Sequence, residues 1–203
     1  MARSAIIGAV PMLALALCGC VSGGAYQPPA TPETTEFSED LNASFDQVWS
    51  AVTYVAGSTF FDIKNFDKGS GLMTLVYTDL KGGPGPYVRC GTMIGGIPPF
   101  SKITDEPNSV LNYIAGYMSL SGRANITVRS RGAKRTTVQV NSAYQLTVLR
   151  DIGDVRALVG RWDFTSREPD SHPVRIGLTE ITVTCQPSYK IEHDFLTEVS
   201  ARL

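Results

Sequence analysis

Residues 118–148 read MSLSGRANITVRSRGAKRTTVQVNSAYQLTV, and this stretch decides the fold. Met118, Leu120, Gly122, Ala124, Ile126 and Val128 are small or apolar, and Ser119, Ser121, Arg123, Asn125, Thr127 and Arg129 between them are polar. Ser130 to Lys134 contains a glycine and reads as a turn. The alternation then resumes. Thr136, Val138, Val140, Ser142, Tyr144, Leu146 and Val148 stand against Arg135, Thr137, Gln139, Asn141 and Gln145. Successive side chains of a strand point to opposite faces. Two long alternating runs around a short turn therefore predict an antiparallel hairpin, one face in a core and one in water.

C-terminal to the hairpin, Asp151 to Asp154 reads as a turn and Val159 to Thr165, with Trp162 and Phe164, as a strand. Ser166 to Pro173 is polar and turn-rich. Glu180 to Cys185 alternates again, with Cys185 on the apolar side beside Ile181 and Val183. Pro187-Ser188 breaks the chain. From Tyr189 onward Ile191, Phe195, Leu196 and Val199 recur at helical spacing, predicting a closing amphipathic helix with Ser188 as a candidate N-cap.

N-terminal to the hairpin, Phe37 to Asn42 reads as a first, edge strand. Ser44-Phe45-Asp46-Gln47 has the capping-box form, and Asp46 complements the helix dipole. Phe45, Val48, Trp49, Val52, Val55 and Ala56 form one stripe, so a helix is expected from Phe45 to Ala56, stopped by Gly57. Phe60–Phe66 and Leu72–Thr78 flank a Lys68–Gly71 turn as two strands. The second is apolar on both sides and is expected to be covered on both faces. Residues 79–108 are rich in Gly and Pro and also carry Met93, Ile94, Ile97, Pro98, Pro99 and Phe100. A long loop of this kind is often functional. It reads either as a partner-facing surface, with Ile97, Pro98, Pro99 and Phe100 as candidate contacts, or as an insertion packed on the domain.

Mostly consecutive antiparallel strands with helices near both ends give an α+β class. The expected architecture is a curved antiparallel sheet, with an N-terminal helix after the first strand and a C-terminal helix packed on the sheet.

The first residues carry a different message. Arg3 precedes an apolar run, Ala5 to Leu17, followed by small residues, the order of a secretory signal. The run is shorter than the roughly 20 residues of a membrane span. Its end, Leu17-Cys18-Gly19-Cys20, resembles the lipobox of bacterial lipoproteins. That resemblance implies cleavage before Cys20, a diacylglyceryl thioether on Cys20 and an acylated amine, with palmitate among the usual chains. Residues 1–19 are then the signal peptide and residues 20–36 a flexible, Gly/Pro/Ser/Thr-rich tether. Residues 37–203 form one globular domain. Val21 follows the cysteine where an aspartate would signal inner-membrane retention. The resemblance thus implies an outer-membrane, periplasm-facing protein, with the cell surface as a second possibility. Tyr26, the tether's only aromatic residue, reads as a solvated ring before a partner-docking one.

With Cys18 and Cys20 assigned to export and lipidation, Cys90 and Cys185 remain. In an oxidising compartment they are expected to form a disulfide. It would close a loop worth up to ~4 kcal/mol in the chain-entropy view. The element order also resembles the helix-grip arrangement of BamC-type envelope lipoproteins. No shared motif accompanies that order, so it transfers no site residues.

Chemical signatures are sparse. Eighteen Lys and Arg stand against 19 Asp and Glu, which makes no electrostatic case for nucleic acid. Arg123, Arg129, Arg131, Lys134 and Arg135 do gather along the hairpin. They could meet phosphate groups, or simply solvate a strand face and discourage edge pairing. No aromatic residue interleaves them, which favours the second reading. No GxSxG, HExxH or Walker loop is present. His172 falls in a polar turn, and Glu192, His193 and Asp194, being adjacent on a helix, point in different directions. Asp62, Asp67 and Asp79 have nothing in sequence that unites them.

The chain is therefore expected to have no catalytic residues, no metal and no cofactor. It reads as a lipid-anchored structural or accessory component of an outer-membrane-associated assembly or secretion complex, held to the membrane through Cys20 and contacting a protein partner. The alternative is a periplasmic module binding an apolar ligand or lipid between the sheet and the C-terminal helix. Gly122, Ala124 and Ser142 on the inner face would leave it room.

Overall fold

The computed structural model describes residues 25–32, 37–59, 61–78, 85–94 and 109–203. The expected signal peptide, residues 1–19, with Cys20, Asp79 and the candidate contacts Ile97, Pro98, Pro99 and Phe100, lies outside them. Chain order runs β1 (Ala25–Gln27), β2 (Phe37–Leu41), α1 (Phe45–Ser58), β3 (Asp62–Asp67) and β4 (Leu72–Tyr77). Then come β5 (Val88–Arg89), β6 (Thr92–Ile94), α2 (Ser109–Ile114), β7 (Tyr117–Gly132), β8 (Arg135–Ile152) and β9 (Val155–Thr165). The chain closes with β10 (Asp170–Ile176), β11 (Thr179–Pro187) and α3 (Lys190–Ser200).

The expected hairpin is the spine. β7 and β8 pair antiparallel from Tyr117↔Leu149 to Gly132↔Arg135. Every even-numbered residue of β8 from Thr136 to Val148 is buried, as the alternation requires. β8 then takes two partners on its other side, β2 along its first half and β9 along its second. β4 and β3 follow β7, completing a six-stranded antiparallel sheet. The α+β architecture expected from sequence is the one observed.

The inner face of this sheet is covered by α1 and α3, which also contact each other. α1 begins with a complete capping box. The Ser44 hydroxyl accepts from the Gln47 amide, and the Gln47 side chain accepts from the Ser44 amide at 3.0 Å. Its buried stripe includes Val48, Trp49, Val52 and Val55. The helix runs past Gly57 to Ser58 and ends at Thr59 in extended conformation, so Gly57 is not its stop. Thr59 and Ser58 donate instead to the Ala56 and Val55 carbonyls, satisfying groups left open at the helix end.

Three local expectations change, those for β4, for the start of α3 and for the polar stretch after β9. β4 is buried on one face only, through Met73, Leu75 and Tyr77, while Leu72 is 42% exposed. β3 is an edge strand exposed along its whole length. α3 begins one residue later than expected: Tyr189, not Ser188, is the N-cap, in left-handed conformation (φ 63°) and stacked on Phe37. The polar stretch read as a turn contains β10, in which His172 pairs with Val183 and Pro173 with Thr182. Proline is admissible there because β10 is the edge of a second, three-stranded sheet, β10-β11-β5.

That second sheet is absent from the sequence reading. It is joined to the first through Trp162, whose buried indole N–H donates to the Val183 carbonyl at 2.9 Å. Within the loop 79–108, β5 pairs with β11 and β6 pairs with β1.

Candidate functional site

Four places concentrate chemistry, and the first is the N-terminal clasp. Cys90 and Cys185 are joined, with sulfurs 2.07 Å apart and both residues fully buried. Residues 25–32, expected to be free tether, lie on this crosslink. β1 pairs with β6, and the Tyr26 hydroxyl accepts from the Thr184 amide at 2.9 Å. It donates toward the Cys90 carbonyl at 3.0 Å or the Thr184 carbonyl at 3.2 Å. Tyr26 is thus not a solvated ring; partial burial pushes its phenol up in pKa, opposed by the Thr184 hydrogen bonds. Gly91 permits the approach. It adopts φ +82°, and a Cβ there would lie 2.4 Å from the Gln27 carbonyl oxygen and 2.8 Å from the Tyr26 ring. Gln186 adds a hydrogen bond to the Ala30 carbonyl at 2.7 Å.

The second is the layer between sheet and α3. Glu192 is fully buried. Its Oε2 accepts from the Tyr144 hydroxyl at 3.0 Å and its Oε1 from the Ser166 hydroxyl at 2.7 Å. Ser166 is itself fixed by Ser142, whose amide donates to its hydroxyl at 2.7 Å. Tyr144 stacks on Phe164 and tilts against Tyr77. Burial first, and then the negative charge of Glu192, raise both phenols well above the ordinary tyrosine range. Sequence reading missed Glu192, although the signal was present: it stands three, four and seven residues before Phe195, Leu196 and Val199, on the apolar stripe.

This layer is where an apolar ligand was the alternative expectation. Gly122 does make room, but for Tyr77: a Cβ at Gly122 would lie 2.5 Å from the Tyr77 hydroxyl and 2.1 Å from the Ala143 carbonyl oxygen. The hollow beside α3, lined by Val55, Phe61, Ile191 and Phe195, holds about 100 Å³, and an open one bordered by Tyr77, Gly122, Tyr144 and Phe164 holds about 480 Å³. A small-molecule site usually needs roughly 300 Å³ or more.

The third is the outer face of the large sheet. Arg123, Asn125, Thr127 and Arg129 of β7 lie beside Gln139 and Asn141 of β8, with Arg167 after β9, around a groove of about 460 Å³. The basic residues read from sequence divide here. Arg135 pairs with Asp40, and Arg131 donates to the Thr137 hydroxyl at 3.0 Å, whereas Arg123 and Arg129 line the groove.

The fourth is the far end of the same sheet. Tyr117, Leu149 and Leu158 stand in register across three strands. Ile152, Val155 and Leu158 are 63%, 67% and 60% exposed at the hairpin tip. Arg156 lies 5.1 Å over the Tyr117 ring and pairs with Asp151 at 3.3 Å.

The two histidines stay apart. His172 bonds Asp170 at 3.0 Å and meets the Trp162 ring edge-on, and His193 is exposed with its ring against Phe37. Among the described residues no three of His, Cys, Asp or Glu converge as a metal cage would. Comparison with family models, with curated proteins and with solved structures finds no match to this chain.

Proposed function

We propose that this chain is a lipid-anchored protein of the bacterial envelope. It acts as a structural or accessory component of an outer-membrane-associated assembly or secretion complex. The observation that carries the reading is the apolar end of the sheet. Tyr117, Leu149 and Leu158 form an aliphatic and aromatic centre on one face with Arg156 and Asp151 as its charged rim, and the exposed Ile152–Val155 pair extends the apolar surface at the tip on the other face. An apolar core inside a polar rim is the anatomy of a protein–protein contact. A protein partner is therefore the occupant proposed.

Two further features support the placement. The Cys90–Cys185 crosslink suits an oxidising compartment. The clasp at Tyr26 leaves residues 21–24 between Cys20 and β1. Fully extended, that segment spans only about 18 Å. A lipid on Cys20 would hold the domain against the bilayer instead of letting it range on a long leash.

The test uses the full-length protein in intact cells. A photocrosslinking residue at position 158 should give a discrete protein adduct, abolished by Tyr117→Ser on the same face. Adducts with lipid alone would overturn the partner assignment. Cys20→Ser should move the domain to the soluble fraction; retention on membranes after a salt wash would refute the anchor.

A further inference from the structure

The outer-face groove carries a charge pattern that its fold does not require. Its lining includes Arg123, Arg129 and Arg167 and no carboxylate. None of the three arginines makes an ion pair among the described residues, and all three are exposed. The carboxylates on the same face have other partners: Asp40 with Arg135 and Thr137, Asp163 with the Gln145 amide at 2.8 Å, and, two strands from β7, Asp62 with Lys64 at 3.9 Å and Asp67 with the Ser70 hydroxyl at 2.7 Å. Unpaired cations set beside one another on a chain of nearly balanced charge are a surplus with a place.

The floor between them is not simply charged. Asn125 stands directly opposite Asn141, and Thr127 opposite Gln139. Thr74 donates to the Asn125 side-chain oxygen at 3.1 Å, which turns the Asn125 amide N–H groups outward as donors. Ala143, opposite Arg123, keeps the floor low. Arg123 and Arg129 are six residues apart on one strand, roughly 20 Å between backbones. A single small anion cannot reach both. A chain with anionic groups at intervals and hydroxyls between them can.

We propose that this groove binds a polyanionic glycan lying along β7, its anionic groups on Arg123, Arg129 and Arg167 and its hydroxyls on Asn125, Asn141 and Gln139. Guanidinium groups bind phosphate, sulfate or carboxylate through paired N–H donors. Side-chain amides both donate to and accept from sugar hydroxyls. A nucleic-acid strand is disfavoured because no aromatic side chain in the groove offers its bases a stacking platform. The inference does not depend on the lipid anchor or on the partner proposed above.

The test is equilibrium binding of a fluorescent heparin hexasaccharide to the full-length protein in a neutral detergent. Polyphosphate and a single-stranded oligonucleotide of matched charge serve as competitors. Arg123→Gln with Arg129→Gln should weaken binding at least tenfold and flatten its salt dependence. Asn125→Ala with Asn141→Ala should weaken it about threefold with the salt slope unchanged, and Arg175→Gln, on β10, should leave it unaltered. The proposal is overturned by absence of binding at low salt, or by binding indifferent to the groove substitutions. Polyphosphate or oligonucleotide competing as strongly as unlabelled hexasaccharide would overturn it too, since the site would then read charge alone.

Discussion

Glu192 on α3 and Tyr144 on β8 meet at 3.0 Å inside the protein, with neither side chain reaching solvent to any useful extent. Their bond ties the last helix to the central strand. Glu192→Ala would leave the Tyr144 hydroxyl short of an acceptor, while the Ser166 hydroxyl can turn to the Ser142 carbonyl at 3.1 Å. A buried orphan costs about 1–3 kcal/mol, so a loss of about 2 kcal/mol is expected in chemical denaturation. Glu192→Gln keeps an acceptor and should cost less than half as much. Equal losses from both variants would show that volume, not hydrogen bonding, sets the role of this residue.

The same layer predicts a steep alkaline limit. Folding raises the pKa of Tyr77 and Tyr144, chiefly by burial. The stability linked to them is complete below the unfolded tyrosine pKa, about 10. Above it the unfolded chain sheds protons that the folded chain retains, so stability falls as pH rises. The slope is about 1.4 kcal/mol per pH unit for each phenol. Denaturation midpoints measured from pH 9 to 11.5 should drop accordingly, and Tyr77→Phe should make the decline shallower. A flat profile over that range would contradict the buried placement.

Tyr26 should govern how tightly the N-terminal segment is held. Tyr26→Phe removes the acceptor of the Thr184 amide and the donor to the Cys90 carbonyl. Amide exchange at Thr184 should accelerate by one to two orders of magnitude, matching a loss of about 1–2 kcal/mol. Proteolysis within residues 25–32 should quicken in parallel. Unchanged exchange would mean that β1 pairing alone secures the segment.

Gly122 should tolerate no side chain. A Cβ there would press on the Ala143 carbonyl oxygen, which belongs to the paired strand and cannot swing away. Gly122→Ala is expected to cost about 3 kcal/mol, at the upper end of overpacking effects. Thermal unfolding reads the loss directly. Gly57→Ala, where a Cβ meets nothing within 4 Å and the site is helical, should instead be neutral or stabilising.

Breaking the crosslink by Cys90→Ser with Cys185→Ser is expected to cost about 2–5 kcal/mol. It should also loosen the Tyr26 clasp, because both cysteines sit beside Tyr26's hydrogen-bonding partners. Peptide mapping without reductant should recover the two cysteines in one fragment pair.

Local periodicity was enough to read the β7–β8 hairpin, α1 with its capping box, the stripe of α3 and the α+β class. Alternation and helical spacing are imposed residue by residue on any chain that buries one face. The Cys90–Cys185 pair was legible because, once Cys18 and Cys20 are assigned to the signal and its lipid, no other cysteine remains. The second sheet was not legible. β10 contains Pro173 and polar residues, and it becomes a strand only because β11 offers it a register. Tyr26 carries no local sign of its docking, since its partners Cys90 and Thr184 lie 64 and 158 residues away. The helical phase of α3 put Glu192 on the apolar side, but its hydroxyl partners come from β8 and the end of β9. The groove followed the same division. Sequence placed Arg123 and Arg129 on the solvent face of β7, and only the pairing of β7, β8 and β9 brought Asn141, Gln139 and Arg167 beside them. Sequence set which face each side chain takes, because that is a property of neighbouring backbone angles. Which side chains meet depended on strand order and register, which are settled by the whole core at once.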